Sequence, residues 1–229
     1  MIEFEGVEVT VRRADGSPRP LLSQIDLSVG ERRVAFVGPN GSGKSTLLKL
    51  INGLTRPTAG RVTVGGIDVA RRPKEVRRRV GFVFTDPAAQ LVMSTPREDI
   101  ELSLRATMRD RRERRARAEA LLADRGLAHA ADQSIYDLSG GERQLVSLTS
   151  VLAVEPDIIV ADEPTTLLDL KNRNRLHRIF DDLPQQMIFS THDLTLAASC
   201  DRVIAIEAGR VVDDGEPGRV LAAYEERMA

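Results

Sequence analysis

The chain has 229 residues, of which 41% are apolar, enough to close the core of one α/β domain with a modest insertion. Its 33 basic and 34 acidic residues leave a net charge of −1, which excludes a general attraction to nucleic acid or to an anionic membrane. No apolar run approaches the roughly 20 residues that cross a bilayer, and the single cysteine, Cys200, excludes an internal disulfide and a cysteine-rich metal cluster. We therefore expect a cytosolic protein whose metal, if any, arrives with its substrate.

The predicted elements begin with strands. Alternating apolar residues over residues 2–37 predict an antiparallel edge layer. The last of these strands, Arg33 to Val37, runs into a glycine-rich loop, after which Lys44 to Asn52 has helical spacing. Further strands are predicted at Arg61 to Val64 and at Val80 to Phe84.

A mainly helical stretch then interrupts the strands, from about residue 90 to residue 152. From Asp157 onward, strands alternate with helices, which predicts a mostly parallel sheet. We therefore expect a single α/β domain over residues 1–229. Its core is predicted to comprise residues 1–89 and 153–229 with the antiparallel layer, and residues 90–152 are predicted to form an inserted helical subdomain.

The glycine-rich loop matches the pattern G-x-x-x-x-G-K-[ST] between a strand and a helix. Glycines let backbone amides converge on a phosphate, and the helix N-terminus adds the positive end of its dipole. Lys44 is expected to reach the outer phosphates and Ser45 to ligate Mg²⁺ through its hydroxyl. The alternative, a glycine-rich turn with an exposed lysine, fits this strand and helix context less well. The predicted phosphate-binding residues are Gly38, Pro39, Asn40, Gly41, Ser42, Gly43, Lys44, Ser45 and Thr46.

Two adjacent carboxylates follow the apolar strand that begins near residue 157. Asp162 emerges where open α/β sheets bind ligands, and we expect it to hold Mg²⁺ through water. Glu163 faces the other side of the backbone and is suited to act as general base on the attacking water. His192 follows the next apolar strand, poised to meet a γ-phosphate. An acidic turn and an incidental loop histidine are the alternatives, and we interpret His129 and His177 as incidental.

A second candidate phosphate contact is L-S-G-G-E-R-Q at residues 138–144. Ser139 and Glu142 form the S-x-x-E pattern of a capping box at a helix start. Gly140 and Gly141 in the first turn cost helix stability, but bare glycines are useful where the backbone closely approaches a phosphate. The pattern predicts a well-capped helix, and one that points at an anion if the glycines serve that purpose.

These motifs, in this order and spacing, resemble the nucleotide-binding subunits of ABC transporters over the whole chain. The resemblance also includes T-L-L-D at residues 166–169. It implies a P-loop NTPase core of the RecA-like type, hydrolysis of ATP with Mg²⁺, and a head-to-tail dimer of two copies or with a second ATPase. In that dimer, residues 139–142 of one subunit contact the γ-phosphate bound by the other, and Asp169 belongs to the D-loop at the interface.

A finer resemblance is to the energy-coupling-factor ATPases of vitamin and metal-ion uptake. The segment F-T-D-P-A-A-Q-L-V-M at residues 84–93, with D-E-P-T-T-L-L-D-L later, is similar to the ATPases of biotin transporters. This implies a peripheral protein at the cytoplasmic face of the membrane, with a transmembrane T component and a substrate-binding S component as partners. A cobalt, nickel or other vitamin importer, or another ABC transporter, is the alternative. The predicted groove for the T component comprises Gln90, Leu91, Val92 and Met93, and the alternative for the three apolar residues is that they belong to the core.

Two positions depart from the family pattern. Thr85 stands where most members have a glutamine that reaches the magnesium ion, and its single hydroxyl reaches less far. Val11 or Arg12 stands where an aromatic residue usually stacks on adenine. An arginine plane can stack on a base, whereas valine offers only apolar contact.

Arginine-rich runs at residues 71–79 and 105–117 carry no aromatic residues to stack on bases, so we interpret them as solvated helix faces. A DNA-repair ATPase with the same motifs would need a long coiled-coil or clamp insertion, which is missing between Lys44 and Ser139. A translation-associated protein of this family usually carries two such cassettes. No nucleic-acid partner is therefore expected.

Overall fold

The computed structural model describes all residues from Met1 to Ala229, in ten strands and eight α-helices. The strands are β1 (Ile2–Arg12), β2 (Pro18–Val29), β3 (Arg33–Val37), β4 (Ala59–Val64), β5 (Ile67–Asp68), β6 (Val80–Val83), β7 (Ile158–Asp162), β8 (Gln186–Ser190), β9 (Arg202–Glu207) and β10 (Arg210–Gly215). The helices are α1 (Lys44–Ile51), α2 (Pro73–Arg79), α3 (Pro96–Leu104), α4 (Arg111–Asp124), α5 (Gly140–Leu152), α6 (Leu170–Asp182), α7 (Leu194–Ala198) and α8 (Pro217–Met228).

The strands form two sheets. A six-stranded sheet has the order β10-β9-β3-β8-β7-β6, in which only β10 runs antiparallel to its neighbour. A four-stranded antiparallel sheet has the order β2-β1-β4-β5. The predicted α/β class, with a largely parallel sheet and an antiparallel layer, is confirmed. The predicted assignment of residues 33–37 to the antiparallel layer is wrong, because β3 pairs in parallel with β8 and β9 at the centre of the larger sheet.

The parallel sheet is buried on both faces, which explains why its strands are continuously apolar. Alternate residues of β3 point to opposite sides. Val34 and Phe36 join the core beneath α1 and the antiparallel layer, whereas Ala35 and Val37 join the core shared with the helical subdomain. The sheet therefore holds its loops between two packed layers, which fixes the positions of the loops at its carboxyl edge.

Helices α3, α4 and α5 follow one another between β6 and β7 and pack together. Helix α5 is buried along most of its length and contacts β6, so it connects this helical region to the parallel sheet. None of the eight helices combines the length and the apolar character that a bilayer-crossing segment requires.

Candidate active site

The functional loops meet because of strand order. Strands β3, β8 and β7 are neighbours, and Phe36 of β3 and Asp162 of β7 each pair with Ser190 of β8. The segments that follow these three strands therefore lie side by side at one edge of the sheet, where parallel sheets bind ligands. These segments are the glycine-rich loop, the segment that begins at Glu163 directly after Asp162, and the segment that contains His192.

Close packing explains two glycines of the phosphate loop. Gly38 has a φ of 147°, and a Cβ there would lie 2.0 Å from the carbonyl oxygen of Ile206. Gly43 has a φ of 112°, and a Cβ there would lie 2.7 Å from Leu22 Cδ2 and 2.9 Å from the carbonyl oxygen of Leu21. The loop is thus held against β9 on one side and β2 on the other, at positions where only glycine fits.

Lys44 is 5% exposed, and its ammonium group lies inside the loop. Nζ donates to the carbonyl oxygens of Gly38 and Pro39, at 2.7 and 3.2 Å. Burial lowers the pKa of Lys44, and the negative charges of Glu163 and Asp162 oppose that shift. An ammonium group has three donors, so at least one remains for an incoming phosphate oxygen.

Asp162 is 5% exposed and accepts hydrogen bonds from hydroxyl groups on two neighbouring elements, α1 and β8. Its Oδ1 accepts hydrogen bonds from Ser45 Oγ at 2.9 Å and from Ser190 Oγ at 2.6 Å. The Ser45 hydroxyl and the Asp162 carboxylate are hard oxygen ligands of the kind that Mg²⁺ prefers. No group of three or more His, Cys, Asp or Glu side chains in the chain is arranged to hold a metal. A magnesium ion here would be held by these two oxygens together with oxygens from water or from a bound phosphate.

Glu163 adopts a left-handed backbone conformation, with a φ of 49°, and its amide donates to the backbone oxygen of Ser190 at 3.1 Å. Its Oε2 accepts hydrogen bonds from Thr166 Oγ1 at 3.2 Å and from the His192 amide at 3.1 Å. Its Oε1 is buried and has no hydrogen-bond partner. An unpaired buried carboxylate oxygen is costly, so this atom is suited to accept a hydrogen bond from a bound water.

The His192 ring connects the phosphate loop with Glu163. Its Nε2 lies 2.9 Å from Asn40 Oδ1 and 3.1 Å from Glu163 Oε1. The contact with Asn40 is a hydrogen bond. The contact with Glu163 Oε1 is close in distance, but its angles do not meet those of a hydrogen bond. The ring thus lies beside the oxygen of Glu163 that remains free, close to where a terminal phosphate would enter.

A cleft of about 190 Å³ opens above the loop. Its lining consists of Arg19, Leu21, residues 40–46 and Glu163. Val11 and Arg12, the residues predicted to meet an adenine ring, do not line it. Val11 pairs with Arg19 across the β1–β2 ladder, so the register of the two strands places Arg19 beside the cleft. That register is not readable from the local sequence.

The L-S-G-G-E-R-Q segment forms the start of α5. Ser139 and Glu142 make the predicted capping box, and Glu142 Oε2 also accepts from Ser139 Oγ at 2.6 Å. His129 Nε2 lies 3.1 Å from Glu142 Oε1. The hydrogen bond from the Ser139 hydroxyl is the main cause of a lowered pKa at Glu142. The Glu142 carboxylate is therefore engaged within its own chain, whereas Ser139 is exposed.

The structure keeps the two sets of predicted residues apart. None of Ser139, Gly140, Gly141, Glu142 or Asp169 lines the cleft above the phosphate loop. Asp169 is exposed at the start of α6, where its Oδ1 accepts from the amide of Asn172 at 2.8 Å. One chain thus brings the loop, the carboxylates and His192 together and leaves the α5 tip outside.

Thr85 and Gln90 lie beyond β6. Thr85 is half-buried, its side chain makes no hydrogen bond, and its role at magnesium stays a prediction. Gln90 Oε1 accepts from the amide of Phe84 at 3.2 Å, and Nε2 donates to the carbonyl oxygen of Ser147 at 3.0 Å. Gln90 therefore links the end of β6 to α5, and its amide is occupied there.

A groove of about 320 Å³ lies between α2, β6, α3 and α5, with both Gln90 and Val92 in its lining. Val92 is 70% exposed. Leu91 is 5% exposed and belongs to the core, which was the alternative for the apolar residues of this segment, and half-buried Met93 does not line this groove. The contact of this segment with a partner stays a prediction.

Asp99, which sequence reasoning missed, supports this groove from within. It is 4% exposed, its Oδ1 accepts from the amides of Val92 and Met93 at 2.9 and 3.1 Å, and its Oδ2 accepts from Ser150 Oγ at 3.1 Å. The acidic residue at the start of α3 therefore shapes the segment that exposes Val92.

The two histidines interpreted as incidental each have an acidic partner beside a motif. His129 contacts Glu142, and His177 Nε2 lies 3.1 Å from Asp193 Oδ2. Asp193 follows His192 and caps α7. No local sequence pattern predicts these pairs, because the two partners of each pair come from different elements.

Comparison with known sequences shows which proteins the chain is similar to. The sequence model of the ABC transporter family matches residues 22–166. A putative ABC transporter ATP-binding protein of Deinococcus radiodurans is 43% identical over 210 residues, which cover 92% of this chain and 93% of the relative. The biotin transport ATP-binding protein BioM of Rhizobium etli is 41% identical over 228 residues, covering 100% and 99%. The energy-coupling factor transporter ATP-binding protein EcfA1 of Halalkalibacterium halodurans is 39% identical over 222 residues, covering 94% and 80%.

Solved structures agree with the sequence comparisons. The ATP-binding cassette MJ0796, solved as a dimer in a post-hydrolysis state with ADP and Pi, superposes with a TM-score of 0.85 at 31% identity, covering 95% of this chain and 99% of that one. The cbiO1 protein of Clostridium perfringens, part of the ABC transporter complex cbiONQ, has a TM-score of 0.81 at 27% identity, covering 99% and 93%. The chain therefore belongs to the ABC transporter family, and it is one of that family's ATPases.

Proposed function

We propose that the chain is the ATPase subunit of an energy-coupling-factor transporter that imports a vitamin, with biotin as the favoured cargo. Full-length similarity to a biotin transport ATP-binding protein supports the cargo, and similarity to an energy-coupling factor ATPase supports the transporter class. The subunit works at the cytoplasmic face of the membrane, together with a transmembrane T component and a substrate-binding S component.

The observation that carries this proposal is the separation of the two half-sites within one chain. Residues 40–46 and Glu163 line one cleft, and Asp162 and His192 are hydrogen-bonded to loop residues Ser45 and Asn40, whereas Ser139 and Gly140 lie outside that cleft at the tip of α5. A head-to-tail pair would place that tip over the cleft of the other copy. A helix start offers free amides and a positive dipole end to the γ-phosphate there.

In this dimer, backbone amides of the loop and the Lys44 ammonium bind and orient the phosphates. The Ser45 hydroxyl and the Asp162 carboxylate are the residues that would hold Mg²⁺. Mg²⁺ held there would supply positive charge to offset the charge that develops on the phosphates. Glu163 Oε1, which has no partner in the chain, accepts the proton of the attacking water. His192 lies beside that oxygen and positions the terminal phosphate.

The groove beside β6 is the proposed contact for the T component. Val92 presents an exposed apolar side chain at a concave surface, and such surfaces bind the apolar face of a partner helix. Gln90 joins β6 to α5 at this groove. Movement of α5 during ATP binding would therefore be transmitted to a helix seated in the groove.

A second candidate cargo is a metal ion, cobalt or nickel. Its support is the resemblance of the motifs to energy-coupling-factor ATPases, which serve metal-ion uptake as well as vitamin uptake. The same ATPase geometry serves both candidates, since the S component binds the cargo.

Affinity purification of the tagged chain from detergent-solubilised membranes tests the proposal. Wild type should co-purify with a T-type membrane protein, an S component and bound biotin. Val92→Glu should lose the membrane partners but still bind ATP, because a charge would be buried in the apolar contact. Val212→Glu, at a 45% exposed valine on β10, is the matched control and should retain the partners.

Three results of this purification would count against parts of the proposal. Retention of cobalt or nickel in place of biotin would favour the second cargo. Recovery of no membrane partner would contradict the transporter assignment. Equal recovery by Val92→Glu and Val212→Glu would contradict the groove contact.

A further inference from the structure

The first turns of α5 and α6 touch each other at Gly141 and Asn172. A Cβ on Gly141 would lie 2.4 Å from Cγ, 2.5 Å from Nδ2 and 2.9 Å from Oδ1 of Asn172. Such separations are far below van der Waals contact, and Gly141 is buried. The Asn172 amide group therefore fills the space that any side chain at position 141 would need.

Gly140 differs from Gly141 in this respect. The nearest atom to a Cβ on Gly140 would be the carbonyl oxygen of Leu167, at 3.6 Å, an ordinary contact. Neither glycine has a positive φ, so backbone conformation requires glycine at neither position. Within this chain, Gly141 is explained by Asn172, whereas Gly140 has no neighbour that excludes a side chain.

Asn172 is itself fixed to the D-loop. The backbone N–H of Asn172 donates to Asp169 Oδ1 at 2.8 Å, and the backbone N–H of Arg173 donates to the carbonyl oxygen of Asp169 at 2.9 Å. These bonds hold Asn172 one turn after Asp169. The packing of Asn172 on Gly141 therefore joins the L-S-G-G tip to the D-loop of the same chain.

We propose that Asn172 is a positioning residue that locks the L-S-G-G tip and the D-loop into one surface, which meets the partner's bound nucleotide as a unit. The inference rests on the dimer proposed above. Both elements lie outside the chain's own cleft, and both face the partner in a head-to-tail pair. Fixing them to each other before association reduces the ordering that ATP-driven association would otherwise require.

A double-mutant cycle tests this lock in the Glu163→Gln background, where bound ATP is not consumed. Gly141→Ala should weaken MgATP-driven dimerisation by about tenfold or more, because its methyl group displaces the Asn172 side chain. Adding Asn172→Ala to Gly141→Ala removes the atoms that clash, Cγ, Nδ2 and Oδ1. The dimerisation constant of this double variant should therefore lie within about threefold of that of Asn172→Ala alone. Gly140→Ala is the matched control, and Asn172→Ala should not rescue it.

Two further readouts separate positioning from general damage. MgATP affinity of the monomer, measured by equilibrium dialysis at dilutions where no dimer forms, should be equal in all variants. Asn172→Ala alone should weaken dimerisation by about threefold to tenfold at unchanged monomer affinity, since it releases the tip without a clash.

The outcomes are distinct. No rescue of Gly141→Ala by Asn172→Ala would show that the glycine serves the partner's phosphate, and it would overturn the lock. Unchanged dimerisation of Asn172→Ala would overturn it as well, even if Gly141→Ala failed to fold. If the Glu163→Gln parent itself did not dimerise with MgATP, the dimer would be refuted, and the inference with it.

Discussion

The phosphate loop and the L-S-G-G tip differ in how their polar groups are satisfied. Lys44 and Asp162 are each 5% exposed, and both find hydrogen-bond partners within the chain. Ser139 and Asp169 are exposed, and each is bonded only to the first turn of its own helix. Buried charges require compensation inside the fold, whereas exposed caps do not. Lys44 and Asp162 are therefore held in place within one chain, whereas the tip presents exposed groups that another molecule can contact.

The two regions also depend on different parts of the sequence. The loop is positioned by three parallel strands buried on both faces, so its geometry is set by the core. The tip is positioned by packing of α5 and α6 at their first turns. Changes in the loop region should therefore affect nucleotide binding or chemistry in each copy, whereas changes at the tip should affect association of copies.

The largest expected effect is on chemistry in the loop region. Glu163→Gln removes the proposed general base but keeps the shape of the side chain, so steady-state turnover should fall by about 10²–10⁴-fold. ATP binding should persist, because Lys44 and the loop are unchanged. Phosphate release at saturating MgATP measures this, and turnover within about tenfold of wild type would remove Glu163 from the role of base.

The next effect is on binding in the same region. Lys44→Ala removes the buried ammonium and should weaken MgATP affinity of the monomer by about 30-fold or more. Titration with a fluorescent ATP analogue provides the measurement. Lys49→Ala, on the last turn of the same helix, is the control and should bind normally. Equal affinity of the two variants would contradict the proposed role of Lys44.

A smaller effect is expected at the tip, and it concerns dimerisation and not the nucleotide affinity of the monomer. Ser139→Ala should leave monomer affinity for MgATP unchanged but weaken MgATP-driven dimerisation by about tenfold, the equivalent of one lost hydrogen bond to a charged group. Ser134→Ala removes a comparable cap, at a 3₁₀ turn, and should leave dimerisation intact. Weaker ATP binding by Ser139→Ala monomers would contradict the separation of the two regions.

The smallest effect is expected at His129, an exposed residue that contacts Glu142. A polar contact made by so exposed a side chain contributes little, so His129→Ala should change dimerisation by less than about threefold. Sedimentation of His129→Ala in the Glu163→Gln background with MgATP, compared with Glu163→Gln alone, measures this. A larger loss would mean that His129 helps to hold the capping box of Ser139 and Glu142, and it would extend the tip to include the 3₁₀ turn Ala128–Ala130.

Sequence patterns predicted the parts of the site that follow from local chemistry and strand order. The glycine-rich loop follows β3, Asp162 ends β7 and His192 follows β8, and parallel strands bring their carboxyl ends to one edge. The capping box was predictable because Ser139 and Glu142 are three residues apart on one helix turn. No tertiary information was needed for these features.

Other features depend on packing between distant elements. Arg19 reaches the cleft through the register of β1 and β2, Ser190 reaches Asp162 through the pairing of β7 and β8, and Asp99 reaches Ser150 across two helices. The same limit applies to Gly141. Its sequence context favours approach to a phosphate, whereas its neighbour within the chain is Asn172 of another helix.

Sedimentation velocity of Glu163→Gln tests most directly the claim that one nucleotide site needs two chains. With MgATP the variant should sediment as a dimer and with MgADP as a monomer, and Ser139→Arg in the same background should bind MgATP yet stay monomeric. A Glu163→Gln chain that binds MgATP tightly and remains a monomer at every accessible concentration would contradict the account.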